Sequence, residues 1–128
     1  MRSQLTFFAR RALYIFMLLA MSVFTSAAEW QQQVVPMVGV INYMREACIK
    51  FTAGDTVQYR FESAHEVNFD IHYHPDSGTQ FKERKDAVMQ VAGEFNSEKT
   101  QPYCFTWKNK HELDKEWNIT LQYVVVPK

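Results

Sequence analysis

Apolar and polar residues alternate one by one along most of the chain, and a period of two is the signature of half-buried strands. The pattern is clearest at Val67-Asn68-Phe69-Asp70-Ile71-His72-Tyr73-His74. Val67, Phe69, Ile71 and Tyr73 make an apolar face, and Asn68, Asp70, His72 and His74 make a polar one. Pro75-Asp76-Ser77-Gly78 closes this strand, because proline donates no ladder hydrogen bond and Asp and Gly favour turns. Val57, Tyr59 and Phe61 alternate in the same way with Gln58, Arg60 and Glu62. So do Trp117, Ile119, Leu121, Tyr123 and Val125 in a last strand. Tyr103–Trp107 is apolar throughout, as expected of a central strand covered on both sides.

Shorter signals fill the intervals. Cys48–Phe51 reads as a short strand ending at the turn Ala53-Gly54-Asp55. Ser63–Glu66 is a connection between two strands. Gln80–Arg84 is a polar edge strand, Lys85-Asp86 a turn, and Ala87–Val91 a short apolar segment. Asn96–Lys99 and Lys108–Lys115 are charged loops. Val34–Ile41 is apolar but broken by Pro36 and Gly39, so it reads as an edge strand or extended arm. Asn42–Ala47 is expected to form one helical turn. Short strands with turns between them and no sustained helical period predict an all-β fold, an antiparallel β-sandwich of the jelly-roll kind.

The N-terminus departs from this pattern. Arg2, Arg10 and Arg11 precede the apolar run Ala12–Phe24, and Ser26-Ala27-Ala28 supplies small residues before a cleavage point. That order predicts a signal peptide over 1–28 and an extracytoplasmic protein, secreted or periplasmic. The apolar run is shorter than the roughly 20 residues that span a bilayer, which argues against an anchor. No later stretch is expected to cross a membrane. Cleavage leaves about 100 residues, read as an arm or edge strand over 29–46 and a sandwich over 47–128. The 128-residue precursor is formally neutral, and loss of three arginines makes the mature chain slightly acidic. No basic patch with interleaved aromatics points to nucleic acid. Both cysteines, Cys48 and Cys104, survive processing and in an exported protein most simply form one disulfide. Two free buried thiols are the alternative.

Several of these features together resemble a GOLD (Golgi dynamics) domain. They are Cys48 opening the domain, Gly54-Asp55 before a strand, Val67–Ile71, Pro75–Gly78 after it, and Tyr103-Cys104-Phe105 before the final alternating strand. The resemblance covers about Ala47 to Val126. It implies a β-sandwich, pairing of Cys48 with Cys104 and a non-catalytic binding role. The cargo receptors of that family continue into a coiled coil, a membrane span and a sorting tail. This chain shows none of those, so cargo-receptor function is not carried over.

Candidate chemistry is sparse. His72 and His74, two of the four histidines, share a strand face about 7 Å apart, and Asp70 continues the row. Imidazoles with a carboxylate suit Zn or Cu. Further ligands would have to come from His65, His111, Asp76 or a neighbouring strand. A solvent-facing polar row is the simpler explanation of the same pattern. A cupredoxin is excluded because its copper cysteine is followed closely by His and Met, whereas His111 is distant from Cys104 and no methionine follows. No Gly-x-Ser-x-Gly elbow is present, and no pair of carboxylates is brought together. Trp107 and Trp117 read as core residues, and the sequon Asn118-Ile119-Thr120 lies inside a strand. The sequence therefore predicts an exported binding module without enzymatic activity or cofactor. It would meet a protein partner through an edge strand, end loops or the Val34–Ile41 arm. The alternative is a small metal-binding protein using His72 and His74.

Overall fold

Among the described residues the chain forms six strands, all paired antiparallel. The computed structural model describes residues 27–126. The basic and apolar parts of the expected signal peptide lie outside them. The strands are β1 (Gln31–Val38), β2 (Met44–Phe51), β3 (Thr56–Tyr73), β4 (Gln80–Asn96), β5 (Gln101–Asn109) and β6 (Glu116–Val126).

β3 organises the rest. Thr56–Glu62 pairs with Val126–Thr120 of β6, and Val67–His72 pairs with Asn109–Cys104 of β5. Its other edge pairs with β4 almost from end to end. The β3–β4 hairpin thus climbs one sheet, bends, and descends the other. β1 completes the first sheet beside β6, and β2 completes the second beside β5. One curled sheet becomes a sandwich, and Arg45 Nε donates to Pro36 O at 3.3 Å where the free edges of β1 and β2 approach.

The inward residues of β3 are Val57, Tyr59, Phe61, Ser63, Val67, Phe69 and Ile71, all buried. They meet Phe105 and Trp107 from β5 and Ile119 and Leu121 from β6. Phe61 packs its ring 4.7 Å from Phe69 and 5.7 Å from Trp107, edge-on to the indole. Aromatic pairs in these geometries add about 0.5–1.5 kcal/mol beyond area burial. Both tryptophans expected in the core are buried, and Trp117 Nε1 donates to Ser63 Oγ at 3.1 Å.

Three local expectations are corrected. Ser63–Glu66 does not separate two strands; it is an irregularity inside β3, where the pairing with β4 shifts register. Lys85-Asp86 is likewise not a turn between strands. β4 continues through it, and the extra residue is absorbed at Ala87, which has a φ of 52° and donates its N–H to Asn68 Oδ1 at 3.0 Å. Asn42–Ala47 forms no helical turn. Asn42 adopts a left-handed φ of 65°, a conformation Asn tolerates better than most residues, and Met44–Ala47 pairs with Lys108–Phe105.

Burial, and then the nearby Glu83 carboxylate, push the Tyr59 phenol up to about 12. The unfolded phenol titrates near 10. A raised folded value favours the neutral form, so its contribution is complete below about pH 10 and is lost as the pH climbs towards 12. Stability measured by urea unfolding is expected to fall over that window by an amount on the order of 2 kcal/mol more in the wild type than in Tyr59→Phe. Equal slopes in the two proteins would remove the assignment.

Candidate functional site

Two regions gather side chains capable of more than packing. The first is the end of the sandwich where the β1–β2 loop, the β5–β6 loop and the bend of β3 meet. Inward positions of β5 run Tyr103, Phe105, Trp107 and then Asn109, so the alternation that builds the core ends on a buried amide. Asn109 Nδ2 faces Val40 O at 2.9 Å, His111 O at 2.7 Å and Val38 O at 3.4 Å. Its Oδ1 accepts from His111 N at 3.3 Å. Its own backbone pairs with Asn42 N and Tyr43 O. Glu112 Oε2 accepts from Ile41 N at 3.0 Å, and Leu113 N donates to Gly39 O at 2.7 Å. Only glycine fits at position 39, because a Cβ there would lie 1.9 Å from Leu113 O. The Gly39–Tyr43 loop is therefore held in one shape from beneath. Val40 and Ile41 on it are 55% and 50% exposed, and Met44 beside them is 53% exposed.

The sequence placed Lys108–Glu112 in a solvated loop and so missed Asn109. Continuing the odd-numbered inward register of Tyr103, Phe105 and Trp107 by one more step would have found it. The other two candidate ligands of this end have local roles. His65 packs edge-on against Trp117 at 4.8 Å, and His111 Nε2 lies 2.9 Å from Glu66 Oε2.

The second region is the outer face of the second sheet. Register alone sets two rows of side chains across adjacent strands. One runs Cys48, Cys104, His72 and Phe81; the next runs Glu46, Thr106, Asp70 and Arg84. Cys48 and Cys104 form a disulfide between directly opposed residues of β2 and β5. His72 was expected to face solvent, but it is 7% exposed, because the disulfide, Thr106, His74 and Phe81 crowd it. Its Nδ1 lies 2.7 Å from Asp70 Oδ1 and 3.4 Å from Thr106 Oγ1. Its Nε2 lies 3.7 Å from Glu46 Oε1. His74 places its ring 5.0 Å from that of His72, and its Nδ1 sits 3.3 Å from Thr79 Oγ1. The structure thus brings Asp70 and His72 together and adds Glu46. Among the described residues, a Glu46 carboxylate oxygen and the two sulfurs of the Cys48–Cys104 disulfide lie within 4.8 Å of one another.

A shallow groove of about 790 Å³ crosses the outer face of the first sheet, lined by Arg60, Glu62, Gln90, Thr120 and Gln122 among others. Arg60 Nε donates to Gln122 Oε1 at 2.7 Å, and Gln122 Nε2 donates to Gln32 Oε1 at 3.2 Å, so this surface is a polar ladder. Glu62 is the one carboxylate of its lining, with no imidazole or thiol beside it.

No protein-family model matches the chain, and no curated protein matches it in sequence. Among solved structures, the fold is similar to that of a periplasmic inhibitor of g-type lysozyme from Aeromonas hydrophila. The two superpose with a TM-score of 0.54 at 13% sequence identity, over 80% of this chain and 91% of that one. At that identity the likeness establishes a shared all-β fold.

Proposed function

We propose that this chain is an exported, non-catalytic protein-binding module that meets its partner through the clamped Gly39–Tyr43 loop. One observation carries the reading: Val40 and Ile41 stand about half exposed on a loop whose backbone is fixed by the buried Asn109. Burying the exposed half of such a side chain contributes on the order of 1 kcal/mol. A loop already held in its bound shape loses little conformational entropy on association. Adjacent aliphatic residues on a rigid projection are suited to enter an apolar cleft of another protein.

Other features support the same reading. The basic, apolar and small-residue order of positions 1–28 and the Cys48–Cys104 disulfide fit an extracytoplasmic compartment. The shared fold of a periplasmic lysozyme inhibitor makes g-type lysozyme the first partner to try. The binding role implied by the resemblance to the GOLD domain points the same way, and the cysteine pairing it implies is present. This role needs no cofactor. A metal reading rests on His72, whose ring lies 5.0 Å from that of His74; it concerns a different face and is compatible with a protein partner.

The test is inhibition of a g-type lysozyme by the purified mature protein, followed as cell-wall lysis. Saturable inhibition at near-stoichiometric ratios is expected. Full activity at a large excess of the protein would leave the partner assignment without support.

A further inference from the structure

We propose that the outer face of the second sheet is a zinc site that opens when the Cys48–Cys104 disulfide is reduced. Its ligands are the two thiolates, the Glu46 carboxylate and His72 Nε2, with Asp70 holding His72 from behind.

The argument starts from register. Cys48, Cys104 and His72 stand side by side on β2, β5 and β3 and point to one face, and Glu46 precedes Cys48 on that face by two residues. The Glu46 oxygen and both sulfurs already lie within 4.8 Å of one another. Tetrahedral zinc with bonds of about 2.3 Å to sulfur holds two thiolates about 3.8 Å apart. Residues directly opposed on adjacent antiparallel strands, with Cα atoms 4.0 Å apart in this pair, meet that separation by side-chain rotation.

The imidazole supplies the second, independent observation. His72 Nδ1 lies 2.7 Å from Asp70 Oδ1, which leaves Nε2 as the ring nitrogen turned away from that carboxylate. That Nε2 lies 3.7 Å from Glu46 Oε1, the same carboxylate whose oxygen is near both sulfurs. A ring nitrogen on the buried His72 and a carboxylate oxygen on the exposed Glu46, at that separation, can close on one shared cation. A carboxylate on the far nitrogen is also the usual support of a zinc-bound histidine.

The chemistry balances with an extracytoplasmic dithiol as reductant. Its thiolate attacks Cys48, the more exposed sulfur-bearing residue, and a mixed disulfide forms as Cys104 leaves. The second thiol of the reductant then closes its own disulfide and releases Cys48. Two electrons and two protons pass to the protein, and the reductant is oxidised. Zinc binding displaces the two thiol protons to solvent, with no further change in oxidation state.

The experiment titrates the mature protein with Zn²⁺ against a chromophoric chelator, in the oxidised form and after reduction with a phosphine that is then removed. Near-ultraviolet circular dichroism follows the fold throughout. One zinc per reduced chain with submicromolar affinity is expected, at least about a hundredfold tighter than in the oxidised form. Glu46→Gln and His72→Ala should each weaken binding by about tenfold or more, and Asp70→Asn by less. Co²⁺ in place of zinc should show thiolate charge-transfer absorption and the strong visible bands of a tetrahedral site. Equal affinity in the oxidised and reduced forms overturns the proposal. So does a reduced protein that loses its fold even with zinc present. Unchanged affinity in Glu46→Gln and His72→Ala would reduce the site to a bare dithiol and also overturn it.

Discussion

Cys48→Ser/Cys104→Ser is expected to lower the unfolding free energy by about 4 kcal/mol, the chain-entropy value for a loop of this length. The disulfide joins residues separated by 56 positions, so it removes long-range freedom from the unfolded chain although it bridges neighbouring strands. It also ties β2, an edge strand paired on one side only, to the central β5. Urea unfolding of the double variant beside the oxidised wild type measures the effect. The midpoint should move sharply, and the denaturant slope should rise because the uncrosslinked unfolded chain exposes more surface. A loss below about 1 kcal/mol would mean that the β2–β5 ladder holds without the bridge.

The second large effect is expected at Asn109. Asn109→Ala removes the amide that faces Val38, Val40 and His111 carbonyls and accepts from His111 N. Those backbone groups would lose their partner at a position only 1% exposed in the wild type. Leaving buried polar groups unpaired costs about 1–3 kcal/mol each, and partial access of water to the opened loop should limit the total to about 2–4 kcal/mol. The β1–β2 loop would also lose its fixed shape. Partner binding should weaken roughly tenfold beyond any effect of unfolding, because the loop must then be ordered on association. Hydrogen exchange checks the structural part directly. The amides of Asn42 and Leu113 should exchange faster in the variant, while those of the β3–β6 ladder should keep their protection below the global unfolding limit.

The alternation made most strands legible, and the odd-numbered inward series of β3 and β5 identified the core correctly at Val57, Tyr59, Phe61, Phe69, Ile71, Phe105 and Trp107. The long hairpin was not legible. A strand that bends between two sheets looks in sequence like two strands and a connection, because Ser63–Glu66 and Lys85–Asp86 carry polar residues that suit a turn equally well. Which sheet each half joins is decided by pairing with β5 and β6, residues more than thirty positions away. The candidate sites failed in part for the same reason. Glu46 was hidden by the expected helical turn at Asn42–Ala47; once Met44–Phe51 is a strand, Glu46 and Cys48 share a face by simple parity. His72 looked exposed because its row is polar, and its burial depends on neighbours from β2, β4 and β5. Asn109 looked like part of a charged loop because its neighbours are lysines.

The claim that Val40 and Ile41 form the binding tip is tested most directly by titrating a g-type lysozyme with wild-type protein and with Val40→Asp/Ile41→Asp. Both side chains are exposed in the free protein, so the charges should leave the unfolding midpoint nearly unchanged. Buried anchors of an interface contribute about 2 kcal/mol or more each. The double variant should therefore bind at least about a hundredfold more weakly than wild type. Wild-type inhibition retained in full by the folded double variant would contradict the account.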